Sequence, residues 1–187
     1  ASLCSTFPGL LTPDADWVKV CLQSYGEISG AGWILKTEDA PQARNLEISE
    51  ISRTLEMLEK SFEMVGSDVS AATERPRIIH WIDGHGIKKF SFFIGASAVI
   101  SQYVYRKDTD ESEHAVIVLP ESRMDLVAYK LERDPLLKQK LQSRWKIVHF
   151  RDLLNIAAIK ELSFQVFISY LEKESSSSDD PIQLSIF

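Results

Sequence analysis

The chain has 187 residues, 44% hydrophobic and 26% charged, with a formal net charge of -6. That length supports one good core with appendages and excludes two large domains. The acidic balance argues against a general polyanion binder, and no apolar run approaches the roughly 18 residues that a membrane span requires.

The opening ASLCSTFPGLL has neither the basic flank nor the apolar length of a secretory signal, so export is not expected and a cytoplasmic location is. Cys4 and Cys21 are too few for a disulfide framework and are not spaced as a metal pair, which fits reduced thiols. Asp14 or Asp16 can cap a first helix over DADWVKVCLQSYG, stopped by Gly26, and a short strand is expected from Trp33 to Lys36. Residues 1–36 thus form an N-terminal accessory region. Thr37-Glu38-Asp39-Ala40-Pro41 opens a long helix that runs to about Val65, with Leu46, Ile48, Ile51, Leu55, Leu58, Phe62 and Val65 at helical spacing and Gly66 as its terminator. The small polar residues that follow, to Pro76, read as a loop.

Arg77 to Ile82 and Lys88 to Ile94 are strand-like runs joined by Asp83-Gly84-His85-Gly86, which is strong hairpin chemistry. Gly95 to Tyr105 fits either a helix or a continued strand, and the spacing of Ile100 and Val104 with Val99 and Tyr103 favours the helix. The core of the fold is expected at Ala115 to Phe150, a parallel βαβ unit: AVIVLP, a helical excursion broken at Asp134-Pro135, then WKIVHF. From Arg151 to Tyr170 the pattern is helical, with Ile159, Leu162 and Val166 among the residues expected to pack on the sheet and Ser163 starting a second segment. The α/β core therefore spans residues 37–171. Residues 172–180, EKESSSSDD, have no apolar residue and are expected to be a flexible linker to residues 181–187. The fold class is α/β, a mixed sheet with an N-terminal helical region, a hairpin and a parallel βαβ unit.

Three groups of residues carry possible chemistry. His80, Asp83 and His85 fall within six residues and contain metal-ligand types, but His80 points to the opposite face of a strand from the other two, and the glycines already explain the cluster as a turn. Lys130, Arg133, Lys138, Lys140, Arg144, Lys146 and Arg151 face only Glu132 and Asp134 in the same stretch, a local excess of positive charge that can meet phosphates or simply be a solvated helix face. Arg123 and Ser122 follow the strand ending at Pro120, where α/β proteins place ligand loops; Ser122 also suits a helix cap.

The order long helix, hairpin, helix, strand, helix, strand is similar to the restriction-endonuclease-like fold, whose active members carry an acid near one strand and an acid-x-lysine pair on the next. The resemblance would put Asp83 at the first acid. Phe93 and Gly95 stand where the acid and lysine belong, so Mg²⁺ chemistry is expected only for a divergent nuclease in which Asp83, with His85 or with a distant acid such as Glu56 or Glu74, holds the ion. Gln183-Leu184-Ser185-Ile186-Phe187 resembles the Gln-Leu-Ser/Asp-Leu-Phe peptide by which bacterial proteins dock on the DNA polymerase sliding clamp. The resemblance implies Gln183 at the pocket rim, Leu184 in an apolar contact beside Ser185, and Ile186 with Phe187 filling the pocket; a terminal strand on the chain's own sheet is the alternative. The leading expectation is a non-catalytic module of a bacterial cytoplasm, without a cofactor, that partners the clamp, with DNA as a second expected partner. The rivals are a nuclease and a protein-interaction domain of a larger defence or repair factor.

Overall fold

A computed structural model describes residues 14–30, 32–68, 77–106 and 112–176. Asp14 caps helix α1 (Ala15–Tyr25), accepting the Trp17 N–H at 2.6 Å. Gly26 ends the helix and begins β1 (Gly26–Ser29), which pairs antiparallel with β2 (Gly32–Leu35). Gly30, at φ +58°, makes the turn between them, a conformation that disfavours a side chain. The short strand expected from Trp33 is therefore half of a hairpin, and Ile28, Ile34 and Leu35 of this ribbon are exposed.

Thr37–Asp39, expected to open the long helix, form a separate 3-10 turn; helix α2 (Pro41–Ser61) begins at its proline without a side-chain cap and stops four residues short of Val65. Glu63 takes a positive φ of 55° and turns the chain, and Val65 and Gly66 belong to an edge strand, β3 (Val65–Asp68). Gly66 pairs with Trp81 rather than terminating the helix. Val65 is exposed, so its fit to the helical spacing reflects no burial. Most of the expected loop up to Pro76 lies outside the described residues.

β4 (Arg77–Ile82) and β5 (Lys88–Ile94) form the expected antiparallel hairpin, with a register shift at Trp81/Ile82. A one-turn helix α3 (Ser101–Val104) leads to β6 (His114–Leu119), which is parallel to β5. Only the end of the helix expected from Gly95 exists. Residues 95–99 are irregular because other elements satisfy their backbone: Arg123 donates to the Ala96 carbonyl, Lys130 to that of Ala98, and the Tyr25 hydroxyl accepts from the Ala98 N–H. Gly95 has no room for a side chain, since the Tyr103 hydroxyl would lie 2.1 Å from a Cβ there.

Helices α4 (Met124–Arg133) and α5 (Pro135–Arg144) meet at Asp134, whose carboxylate caps α5 by accepting from Leu137. Strand β7 (Trp145–His149) completes the βαβ unit parallel to β6. The five-stranded sheet is thus a mixed sheet in chain order, β3-β4-β5-β6-β7. Helix α6 (Phe150–Ala157) and helix α7 (Phe164–Ser176) close the domain. Ser163 precedes α7 and accepts from the Val166 N–H, as expected of a start signal. Ile159 and Val166, expected on the sheet, are 47% and 51% exposed; Ile159 falls in the turn after α6, and Val166 points away from Phe167, the residue that does pack. Residues 172–176, expected in the linker, extend α7 instead.

Both sheet faces are covered. On one, α2, α6 and α7 bury Ile79, Trp81, Phe90, Phe92, Val116 and Val118; on the other, α4 and α5 bury Ile78, Phe93, Ile117 and Leu119. This explains why β6 reads as an unbroken apolar run rather than an alternation. Trp81 is fully buried, with the rings of Phe62, Phe90, Phe92 and Phe167 at centroid distances of 5.9, 5.6, 4.6 and 5.6 Å. Among the described residues no helix is long and apolar enough to cross a membrane.

His114 stacks on Phe90 at 4.8 Å at the edge of this cluster. Burial lowers its pKa below the ordinary 6.5, against the raising pull of Glu113 and Glu172. A folded-state value below the unfolded one stabilises the fold above the unfolded pKa and loses that stabilisation as pH falls through the folded value. His114→Phe should therefore flatten the decline of melting temperature between about pH 7 and about pH 5, a range set by imidazole titration.

Candidate functional site

The carboxyl ends of β5, β6 and β7 lie together, and a buried charge cluster sits beside them. Asp39, in the turn before α2, accepts through Oδ1 from Arg44 Nε at 2.7 Å and from Arg123 Nη2. Its side chain is 2% exposed, and those of Arg44 and Arg123 are 7% and 1% exposed. Asp39 Oδ2 finds no donor among the described residues. Arg44 also bonds Glu47 and Ser122, the latter at 3.1 Å. Burial opposes the Arg44 charge, but the hydrogen bonds to Asp39 and Glu47 outweigh it and hold its pKa above the ordinary value. Arg123 further donates to the Ser24 and Ala96 carbonyls, and its guanidinium covers the Tyr25 ring at 3.7 Å.

An open cleft of about 410 Å³ lies against this cluster. Arg44 and Glu47 of α2, Ser122 and Glu121 after β6, and Phe150 and Arg151 at the start of α6 line it. Arg151 pairs with Glu121 across it. The cleft occupies the position where α/β sheets present ligand loops.

The structure disperses the cationic set. Arg123, expected at a phosphate, is an interior strut. Lys130 is half-buried, donating to the Ala98 carbonyl at 2.8 Å, and its ammonium lies 5.6 Å from the Trp17 ring; burial pulls its pKa below the ordinary lysine value. Arg133 stacks on Tyr129 at 3.7 Å and pairs with Asp14 at 3.3 Å, at the seam of α1 and α4. Arg144 donates to the Ser112 carbonyl. Lys146 alternates with Trp145 and Ile147 along β7 and so emerges on the opposite sheet face from α5. Arg151 lies in the cleft. Lys138 and Lys140 leave α5 on either flank of its buried Leu137–Leu141 stripe, with the Lys140 ammonium 4.9 Å from the Tyr105 ring.

Asp83, the candidate first acid, serves its own turn. Its Oδ1 accepts from the N–H groups of His85 and Ile87, both at 2.9 Å, and these bonds, led by Ile87, lower its pKa. Lys89 lies 3.7 Å away and binds Glu113 at 2.8 Å. His80 faces Ser91 across the hairpin at 2.8 Å and is buried, while His85 is exposed at the turn. Glu56 is on α2, 3.8 Å from Arg77, and Glu74 lies outside the described residues. Among the described residues no three His, Cys, Asp or Glu side chains are grouped to hold a metal. Phe93 packs on Trp145 in the core. Residues 183–187 lie outside the described residues.

Asp39 and Arg44 escaped the sequence reading. Asp39 reads as a first-turn acid, and Arg44 belongs to no motif. The available signal was position: Arg44 stands one turn before Ile48 on the stripe that continues through Ile51, Leu55 and Leu58. No family model, curated protein or solved structure matches the chain.

Removing the carboxylate from this cluster strands two buried guanidinium groups, which typically costs about 3–5 kcal/mol. Asp39→Ala should lower unfolding stability by that amount in chemical denaturation. Glu47→Ala, which removes a partly exposed partner, should change it by no more than about 1 kcal/mol.

Proposed function

We propose that the chain is a non-catalytic module of the bacterial DNA-processing machinery, recruited to the sliding clamp by Gln183-Leu184-Ser185-Ile186-Phe187. One observation carries the reading: the apolar anchor Ile186-Phe187 follows a long polar stretch, while the last described core residue is Leu171, fifteen positions before Ile186. A short anchor on a polar tether is a common docking device. Ile186 in place of leucine keeps the apolar contact and alters its shape.

Contact with DNA in this reading is secondary and independent of sequence. Lys138 and Lys140 supply phosphate contacts from α5, and the Tyr105 ring beneath Lys140 offers a face on which a base can stack. The antiparallel β3-β4-β5 meander followed by parallel β6 supports a restriction-endonuclease-like arrangement. Phe93 and Gly95 at the acid and lysine positions, and Asp83 engaged in its turn, favour a non-catalytic member.

Titrating purified bacterial sliding clamp with the full chain should show saturable binding that Phe187→Ala abolishes without shifting the melting temperature. Unchanged affinity in that variant, or a large fall in melting temperature, refutes the docking role. Lys138→Glu with Lys140→Glu should weaken DNA retention equally across sequences and reduce its salt slope by roughly two. Metal-dependent nicking of plasmid that Asp83→Ala removes would replace the whole reading with a nuclease.

A further inference from the structure

The cleft at the ends of β6 and β7 has a donor-rich floor. Ser122 Oγ accepts from Arg44 Nη2 at 3.1 Å and from Arg123 Nη1 at 3.2 Å. With both guanidinium groups on that oxygen, the hydroxyl hydrogen is directed away from them, toward an acceptor. Behind it, two guanidinium groups share the single carboxylate of Asp39, which leaves one positive charge in excess. In the present structure Glu47 offsets that charge from the same helix, Glu38 adds a further carboxylate to the cleft lining, and Glu121 occupies Arg151. Glu47 and Glu121 are partly exposed, at 35% and 53% of their side chains, so the carboxylate end of each pair meets solvent, and the Glu121–Arg151 pair is exposed on both sides and weakly held. Helix α6 begins at Phe150 in the cleft wall, where its first N–H groups have no partner within the helix; its N-cap residue His149 makes no side-chain cap and lies 2.7 Å from Asp152 of the first turn.

We infer that this cleft binds a phosphomonoester, whose head takes the positions now held by the Glu47 and Glu121 carboxylates. This goes beyond docking and does not depend on it. A monocarboxylate gains nothing by the exchange, because each glutamate is tethered and therefore present at an effective concentration of millimolar or more. A phosphate brings close to two negative charges and three acceptor oxygens. It reaches Arg44, the Ser122 hydroxyl and the α6 N-terminus together, which no single glutamate does. The displaced glutamates swing outward, where water and salt screen them. Arg44 does not need to move, because Asp39 and Ser122 fix it from behind. The two glutamates thus act as placeholders that keep the arginine forks satisfied until the ligand arrives.

The experiment is titration of the full chain with inorganic phosphate, followed by calorimetry or amide chemical shifts, beside acetate at equal ionic strength. Phosphate should bind saturably and acetate should not. Glu47→Gln with Glu121→Gln, which keeps shape and removes only the competing charges, should tighten phosphate binding by about tenfold, and Ser122→Ala should weaken it by about tenfold. Glycerol phosphate and a 5′-phosphorylated oligonucleotide, compared with its unphosphorylated form, separate a small metabolite from a nucleic-acid end as the source. No saturable phosphate binding in the glutamine variant, or binding that is unchanged or weaker than in the parent chain, overturns the inference.

Discussion

One carboxylate, that of Asp39, holds together parts of the chain that are distant in sequence. Through Arg123 it ties the end of α1 and the loop after β5 to the loop after β6, and through Arg44 it adds the first turn of α2. Charges so deeply buried are tolerated only when geometry and hydrogen bonding compensate their lost hydration. Here every guanidinium nitrogen of Arg44 and Arg123 donates to an acceptor, and the Tyr25 ring covers the face of Arg123. The accessory N-terminal region is therefore bolted to the carboxyl end of the parallel strands by polar contacts, while the apolar core runs along the two faces of the sheet.

The sheet itself decides which charges can act together. Parity along β7 sends Lys146 to one face while α5 carries Lys138 and Lys140 over the other, and depth removes Arg123 from the surface altogether. What looks like a single basic stretch in sequence is distributed over the interior, two faces and the cleft. Of that stretch, Lys138 and Lys140 remain together on α5, with the Tyr105 ring beside Lys140.

Much of this architecture was legible beforehand. The Asp-Gly-His-Gly hairpin, the βαβ unit and its Asp-Pro break, and the start of α2 all follow from local chemistry that tertiary context did not override. The misses share a different cause. β1 and β3 are four residues long, contain glycine and carry no alternation, so only their partners define them. Residues 95–99 are apolar enough for a helix, but side chains from α1 and α4 supply their hydrogen bonds instead. The candidate site was half visible: the loop after β6 stood out by its position at a strand end. Sequence records that Arg44 is charged and is silent on its depth, and Asp39 looks the same whether it caps a helix or neutralises two arginines.

Because the five strands lie side by side in the order of synthesis, each new strand can add to an edge already present, and none has to be inserted between two earlier ones. A ribosome can therefore release this sheet progressively, like a blind unrolled slat by slat. The exception is its aromatic side, where Trp81 and Phe90 are laid down early but receive Phe167 only from the final helix. Until translation reaches α7, that surface is covered only in part, by α2 and then α6, and the nascent chain is open to chaperones over that interval.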